Sequence, residues 1–101
     1  MNPKNLDPVQ TTINAFIAEM ARYNVHAQFR DSKVLPWHGA GKKHFEFRFL
    51  AHCDKPTLAR LDLDKTIAGI KVVNREPRYD AEGEPDPTLG FVLTGQAAFD
   101  E

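Results

Sequence analysis

Along Lys43–Leu50 the chain reads Lys-His-Phe-Glu-Phe-Arg-Phe-Leu, an alternation of polar and aromatic residues. Successive side chains of an extended strand point to opposite faces, so Phe45, Phe47 and Phe49 share one face and His44, Glu46 and Arg48 the other. That is the pattern of an antiparallel strand with one side on a core and one in water, and it predicts a strand running to about His52. Nearer the start, Val9, Ile13, Phe16, Ile17 and Met20 recur with the helical period. A helix is predicted to open at Asp7-Pro8. Asp7 can accept from the first free amides, and Pro8 lacks the N–H that would be orphaned there. Gln10 holds the capping-box position. Asn24 tolerates the left-handed conformation and makes a natural stop. The apolar face of this helix needs a sheet to cover.

Val25, Ala27 and Phe29 share a parity and predict a strand over 25–30. Asp31-Ser32-Lys33 reads as a turn or bulge, after which Val34-Leu35 resumes the strand and Pro36 limits it. Trp37–Lys42 reads as a loop with two glycines. Beyond the break at Asp54-Lys55-Pro56, Ala59, Leu61 and Leu63 alternate with Arg60, Asp62 and Asp64, which favours a strand over 57–64. Asp54 as a cap, with the Leu58/Leu61 spacing, is the helical alternative. If this segment pairs with the aromatic strand, opposite charges should face each other. Setting Glu46 against Arg60, His44 against Asp62 and Lys42 against Asp64 meets that condition, with an unusually long connection centred on Cys53. Ile67–Val73 is a further strand candidate with Gly69 as a bulge. Arg75–Thr88, with Pro77, Gly83, Pro85 and Pro87 among charges, reads as a long exposed loop. Gly90–Phe99 closes the chain as a strand with Phe91, Leu93, Ala97 and Phe99 inward and Gly95 disturbing the period.

The sum is one α+β domain over residues 1–101: an N-terminal helix packed on a four- to five-stranded antiparallel meander sheet. A meander curled around one helix is the cystatin-like or helix-grip plan, by analogy of architecture only. No motif in the chain identifies either family.

Composition agrees with a single domain. A chain of 101 residues has no room for two ordinary cores, and 42% hydrophobic with 27% charged residues is too apolar for global disorder. The apolar runs are too short for a membrane-spanning helix. One cysteine, Cys53, precludes an internal disulfide, and Met1–Asp7 has no apolar core of a secretory signal. A reducing, cytoplasmic setting is expected. A net charge of −1 gives no bulk attraction to nucleic acid or anionic lipid. The distribution says more. Arg22, Arg30, Lys33, Lys42, Lys43 and Arg48 crowd the middle against Asp31 and Glu46, while Glu76, Asp80, Glu82, Glu84, Asp86, Asp100 and Glu101 face Arg78 alone.

Candidate chemistry is sparse. His52 and Cys53 are adjacent and so point apart on a strand, and His38, His44 and His52 have no standard ligand spacing, so no metal site is expected. Gly39-Ala40-Gly41-Lys42-Lys43 has the composition of a phosphate cradle but leads into a strand rather than a helix. Bases stack on aromatic strands in RNA-recognition domains, to which Lys42–Phe49 has a faint likeness. The glycine and valine of that signature are absent and the element order differs. Three phenylalanines opposite an amphipathic helix read as core. Cys53 lacks a base beside it, Asp62 and Asp64 read as a solvated sheet surface, and the lone Ser32 has no triad around it. No catalytic residue, metal or cofactor is expected, and the protein reads as a non-enzyme.

The function expected is therefore a non-catalytic protein-binding module, a small inhibitor or adaptor acting through charged patches. Its contacts would be Trp37, His38, Lys42, Lys43 and Arg48 and, separately, Glu82, Glu84 and Asp86. An unpaired sheet edge also permits a homodimer. The first alternative is single-stranded nucleic-acid binding through Arg30, Lys33, Trp37, Lys42, Lys43 and Arg48. The second is an apolar ligand pocket between helix and sheet near Phe16, Met20, Phe45 and Phe47.

Overall fold

Helix α1 (Pro8–Arg22) opens as its sequence predicts: the Asp7 carboxylate accepts from the Val9 amide at 2.9 Å, and Pro8 fills the first turn. Gln10 does not complete a capping box; its amide donates to Asn14 one turn on, at 2.9 Å. The helix gives way at Tyr23, and Asn24 turns the chain with φ 62. The structure, a computed structural model, describes residues 7–39 and 41–100, without the side chains of Trp37, His38 and Pro87. After α1 come β1 (His26–Gly39), β2 (Lys42–His52), a short helix α2 (Lys55–Ala59), β3 (Thr66–Ile67), β4 (Ile70–Pro77) and β5 (Phe91–Asp100). The five strands form one sheet in the order β1-β2-β5-β4-β3, every neighbouring pair antiparallel. It curls as a half-barrel with α1 on its inner side.

The class and the helix-on-sheet plan are those the sequence predicts, but the strands are not in sequential order. β5 inserts between β2 and β4, so β2 pairs with β5 and not with 57–64. Lys42 stands opposite Asp100, His44 opposite Ala98 and Glu46 opposite Gln96. The expected strand at 57–64 is instead helix α2 and the turns that follow it. Asp54 caps α2 by accepting from the Thr57 amide at 2.8 Å, and Pro56 stands in its first turn. Leu58 and Leu61, three apart, are both buried, whereas Leu63 is 46% exposed; the helical spacing wins over the alternation. Arg75 then ties the segment down, its guanidinium donating to the carbonyls of Leu58 and Leu61.

Three smaller expectations also change. β1 continues through Asp31–Lys33 and Pro36 to Gly39 and β2 begins at Lys42, so strand takes up both ends of the loop expected over Trp37–Lys42. Gly69 is no bulge: Ala68 (φ 51) and Gly69 (φ 87) form the two-residue turn between Ile67 and Ile70, both left-handed as a hairpin turn of this length requires. The strand expected at Ile67–Val73 is thereby divided between β3 and β4. The long loop begins only after Pro77, because β4 extends to pair with β5 as far as Phe91.

The core lies between α1 and the inner face. Phe47 and Phe49 are fully buried and Phe45 is half-buried, so the three rings turn inward as their alternation predicts. Phe16 of α1 lies on Phe49 with ring centroids 4.5 Å apart. Phe99 meets Phe45 and Phe47 edge-on at 5.4 and 6.3 Å. Gly95 stays in register between Phe47 and Val72, and Ile70 packs into the space its missing side chain leaves.

Candidate binding surfaces

The face of the sheet away from α1 carries Asp31 and Lys33 from β1, the even-numbered residues of β2, and Thr94, Gln96, Ala98 and Asp100 from β5. Registry sets their partners. Asp31 stands opposite Arg48, and the guanidinium forks onto its carboxylate at 2.8 and 3.0 Å. Lys33 stands opposite Glu46, at 3.3 Å. Lys42 reaches Asp100 at 2.7 Å. The bond that Arg48 donates to Asp31 pushes the Arg48 pKa up, and the bond from Lys42 holds Asp100 below the usual carboxylate range. Arg30 adds a long contact to Asp31 at 3.9 Å. Exposed pairs of this kind contribute little stability; their effect is to break the basic cluster seen in the sequence into alternating signs.

The expected contact residues do not form one site. Lys42 and Lys43 lie at the β1–β2 hairpin tip, where His38 pairs with Lys43. The side chains of Trp37 and His38 lie outside the described residues. Arg48 sits farther along β2. Glu82, Glu84 and Asp86 belong to the connection between β4 and β5. That connection leaves the sheet at the opposite end, where Pro77, Phe91 and Ala51 are in register. It is more ordered than a solvated loop needs to be. Tyr79 bridges to Pro85, and the Asp80 carboxylate accepts from the Glu82 and Glu84 amides, both at 2.9 Å. The Asp86 carboxylate turns inward on the loop, accepting from the Thr88 amide at 3.0 Å and hydroxyl at 2.6 Å. Glu82 and Glu84 are exposed and Asp86 is partly exposed.

One feature escapes the sequence pattern. β1 forms an outer edge of the sheet, with β2 its single neighbour among the described residues. Phe29 and Val34 lie on its inner side opposite Phe49 and Phe45, yet they are 40% and 51% exposed. Phe29 and Val34 differ in parity, and the register shift at Arg30 brings them to the same face. Residue alternation carries no signal for position at an edge, where half of the side chain has no neighbour.

The other chemistry is quiet. Burial, then the neighbouring Asp54 charge, pushes the Cys53 thiol up and away from the thiolate form. Among the described residues no three His, Cys, Asp or Glu side chains converge as metal ligands. The space between α1 and the sheet is filled by Phe16, Met20, Phe47 and Phe49. Two surface depressions lie by the end of α1, one lined by Glu19, Arg22 and Tyr23 and the other by Ala21, Asn24, Val25 and His26. No described helix is long and apolar enough to cross a membrane. Comparison with known proteins finds no matching family model, no similar curated protein and no similar solved structure.

Proposed function

We propose that the protein is a non-catalytic protein-binding module, a small inhibitor or adaptor, working in a reducing cytoplasmic setting and able to pair with itself along its open sheet edge. The observation that carries this reading is the pairing of Arg48 with Asp31, Lys33 with Glu46 and Lys42 with Asp100 on the outer face. A surface of alternating sign complements another protein surface of alternating sign, where charge placement sets orientation and partner choice. A nucleic-acid strand is uniformly negative and is held by cations that replace its counterions. Here Arg30, Lys33, Lys42 and Arg48, four of the six residues expected for that role, already face carboxylates. The hairpin-tip residues Lys42 and Lys43 and the distant Glu82 and Glu84 extend the same mixed pattern to both ends of the molecule.

Affinity capture and oligonucleotide titration together test the reading. Wild-type protein should retain a protein partner from host lysate, and Arg48→Glu or the pair Glu82→Lys/Glu84→Lys should weaken its binding by about tenfold or more. A labelled single-stranded oligonucleotide should show no salt-sensitive affinity. Binding to it with a log–log salt slope of about −3 or steeper would overturn the proposal in favour of nucleic acid. Failure to retain any protein at micromolar bait would also overturn it.

A further inference from the structure

We infer that β1 pairs with β1 of a second copy of this chain, antiparallel and centred on Ser32, joining two sheets into one. This deepens the binding-module reading by naming one partner, and it rests on that reading only to that extent.

The argument starts from the shape of the edge. An edge strand offers a row of unpaired backbone donors and acceptors, and proteins normally blunt such an edge with bulges, prolines or like charges. β1 is irregular at two places: its register with β2 shifts between Phe29 and Asp31, leaving Arg30 as an extra residue, and again between Val34 and His38, around Pro36. Between them Asp31, Ser32, Lys33 and Val34 pair regularly with Arg48, Phe47, Glu46 and Phe45. The run is short; Val34 at its end and Phe29 just before it are the two half-exposed apolar side chains of the strand.

A two-fold axis then selects the register. Residues opposite each other in an antiparallel pair share a face, so outward Asp31 and Lys33 must meet outward residues, and inward Phe29, Ser32 and Val34 must meet inward ones. Centring on Asp31 opposes two carboxylates, and centring on Lys33 opposes two ammonium groups, both unfavourable. Centring on Ser32 places Asp31 against Lys33 of the second copy, and Lys33 against its Asp31. With Arg30 as the extra residue, Phe29 falls opposite Val34 of the other copy, and the reverse. The rows across the joined sheet then read Arg48, Asp31, Lys33, Glu46, alternating in sign over four strands. The charges that would protect this edge if they were alike are instead self-complementary.

The contact is small. A strand pairing limited by Arg30 and Pro36 falls below the area of a standard stable interface, so the dimer is a weak one, formed at about 10–100 µM and above.

Sedimentation velocity on purified protein tests this without any other partner. Wild type should pass from monomer to dimer between about 1 and about 500 µM. Asp31→Lys and Lys33→Glu should each weaken dimerisation by about tenfold or more, since each opposes like charges twice. Mixed one to one, the two variants should form a heterodimer, because Lys at 31 of one then faces Glu at 33 of the other, and Lys33 faces Asp31. Circular dichroism checks that both are folded. Val34→Arg, on a half-exposed side chain, gives a second monomer-forming change. A wild type that stays monomeric, variants that dimerise as well as wild type, or folded variants that fail to restore each other would overturn the inference. A monomeric wild type that still captured a different protein would sink the edge pairing alone and leave the broader reading standing.

Discussion

Replacing Gly95 by alanine probes the insertion of β5 into the centre of the sheet. Gly95 faces inward between Phe47 on one neighbour and Val72 on the other. A Cβ built there runs into the Ile70 side chain and lies 3.3 Å from the Lys71 carbonyl oxygen. Ile70 is fully buried, so it has little room to turn away. Overpacking of this kind costs about 1–3 kcal/mol. The alanine recovers about 0.5–1 kcal/mol by restricting the unfolded chain. A net loss of about 1–2 kcal/mol follows, seen as a fall in melting temperature of about 5–15 °C for a domain of this size. Ile70→Ala alone should cost about 2–5 kcal/mol through its cavity. In that background Gly95→Ala should be neutral or stabilising, giving a coupling of about 1–3 kcal/mol in urea unfolding of the four proteins. If Gly95→Ala is as stable as wild type while Ile70 is present, or if the two changes simply add, Gly95 and Ile70 are not packed together and the register of β4 on β5 is wrong.

Asp7→Ala should cost about 1 kcal/mol by removing the N-cap of α1, and Asp7→Asn should restore most of it, as read from urea midpoints. Asp54 is held below the usual carboxylate range by hydrogen bonds from the Thr57 side chain and then its backbone amide, and Asp100 by its bond to Lys42. With the folded pKa depressed, the unfolded chain takes up the proton first on acidification. The stabilisation is therefore full above about pH 4 and is lost as pH falls through the folded value. Because Asp100 is exposed and its pair with Lys42 is screened, Asp100→Asn should flatten that decline below about pH 4 only slightly; an NMR titration should show the Asp100 carboxylate protonating below the usual aspartate range, and an unshifted titration would refute the assignment. Cys53 should react with iodoacetamide at about pH 8 more slowly than a free thiol and equally fast in denaturant; equal rates in the native protein would show that burial does not suppress its thiolate.

The elements legible in the sequence are those whose signal is local and repeated. The helix at 8–22 has both an end signal at Asp7-Pro8 and a periodic face, and Asn24 stops it at the expected place. The aromatic strand has alternation over its whole length. Segment 57–64 fails because two local signals compete there: alternation favours a strand, whereas the Asp54 cap and the Leu58/Leu61 spacing favour a helix. The tie is broken by Arg75, which caps the carbonyls of Leu58 and Leu61 from a strand that follows later in the chain. Strand order is illegible for the same reason. β5 lies between β2 and β4, where Gly95 stands between Phe47 and Val72 and leaves room for Ile70, a fit between segments far apart in sequence. For the candidate surface, the residues are legible and their grouping is not: Lys42 and Glu84 share a charge argument in the sequence, yet they lie at opposite ends of the sheet.

The charge test applied to the sequence shows where such reasoning holds and where it fails. It requires carboxylates to face Lys42 and His44 and a cation to face Glu46; Lys42 and Glu46 meet it, whereas His44 stands opposite Ala98. The partners are Asp100 and Lys33, however, not Asp64 and Arg60, and Asp64 turns to Lys71 at 3.8 Å. Avoiding like charges is a constraint on every residue of a sheet face, so it is satisfied by whichever strands the core brings together. Since exposed pairs contribute little energy, they follow the packing of Phe47, Gly95 and Ile70 and do not select it. The same constraint becomes selective only where packing no longer decides. At the outer edge of β1 no core fixes the next strand, and of the registers centred on Asp31, Ser32 and Lys33 only the middle one avoids opposing like charges. Weak electrostatics cannot choose the fold of this chain, but it can choose how one copy meets another.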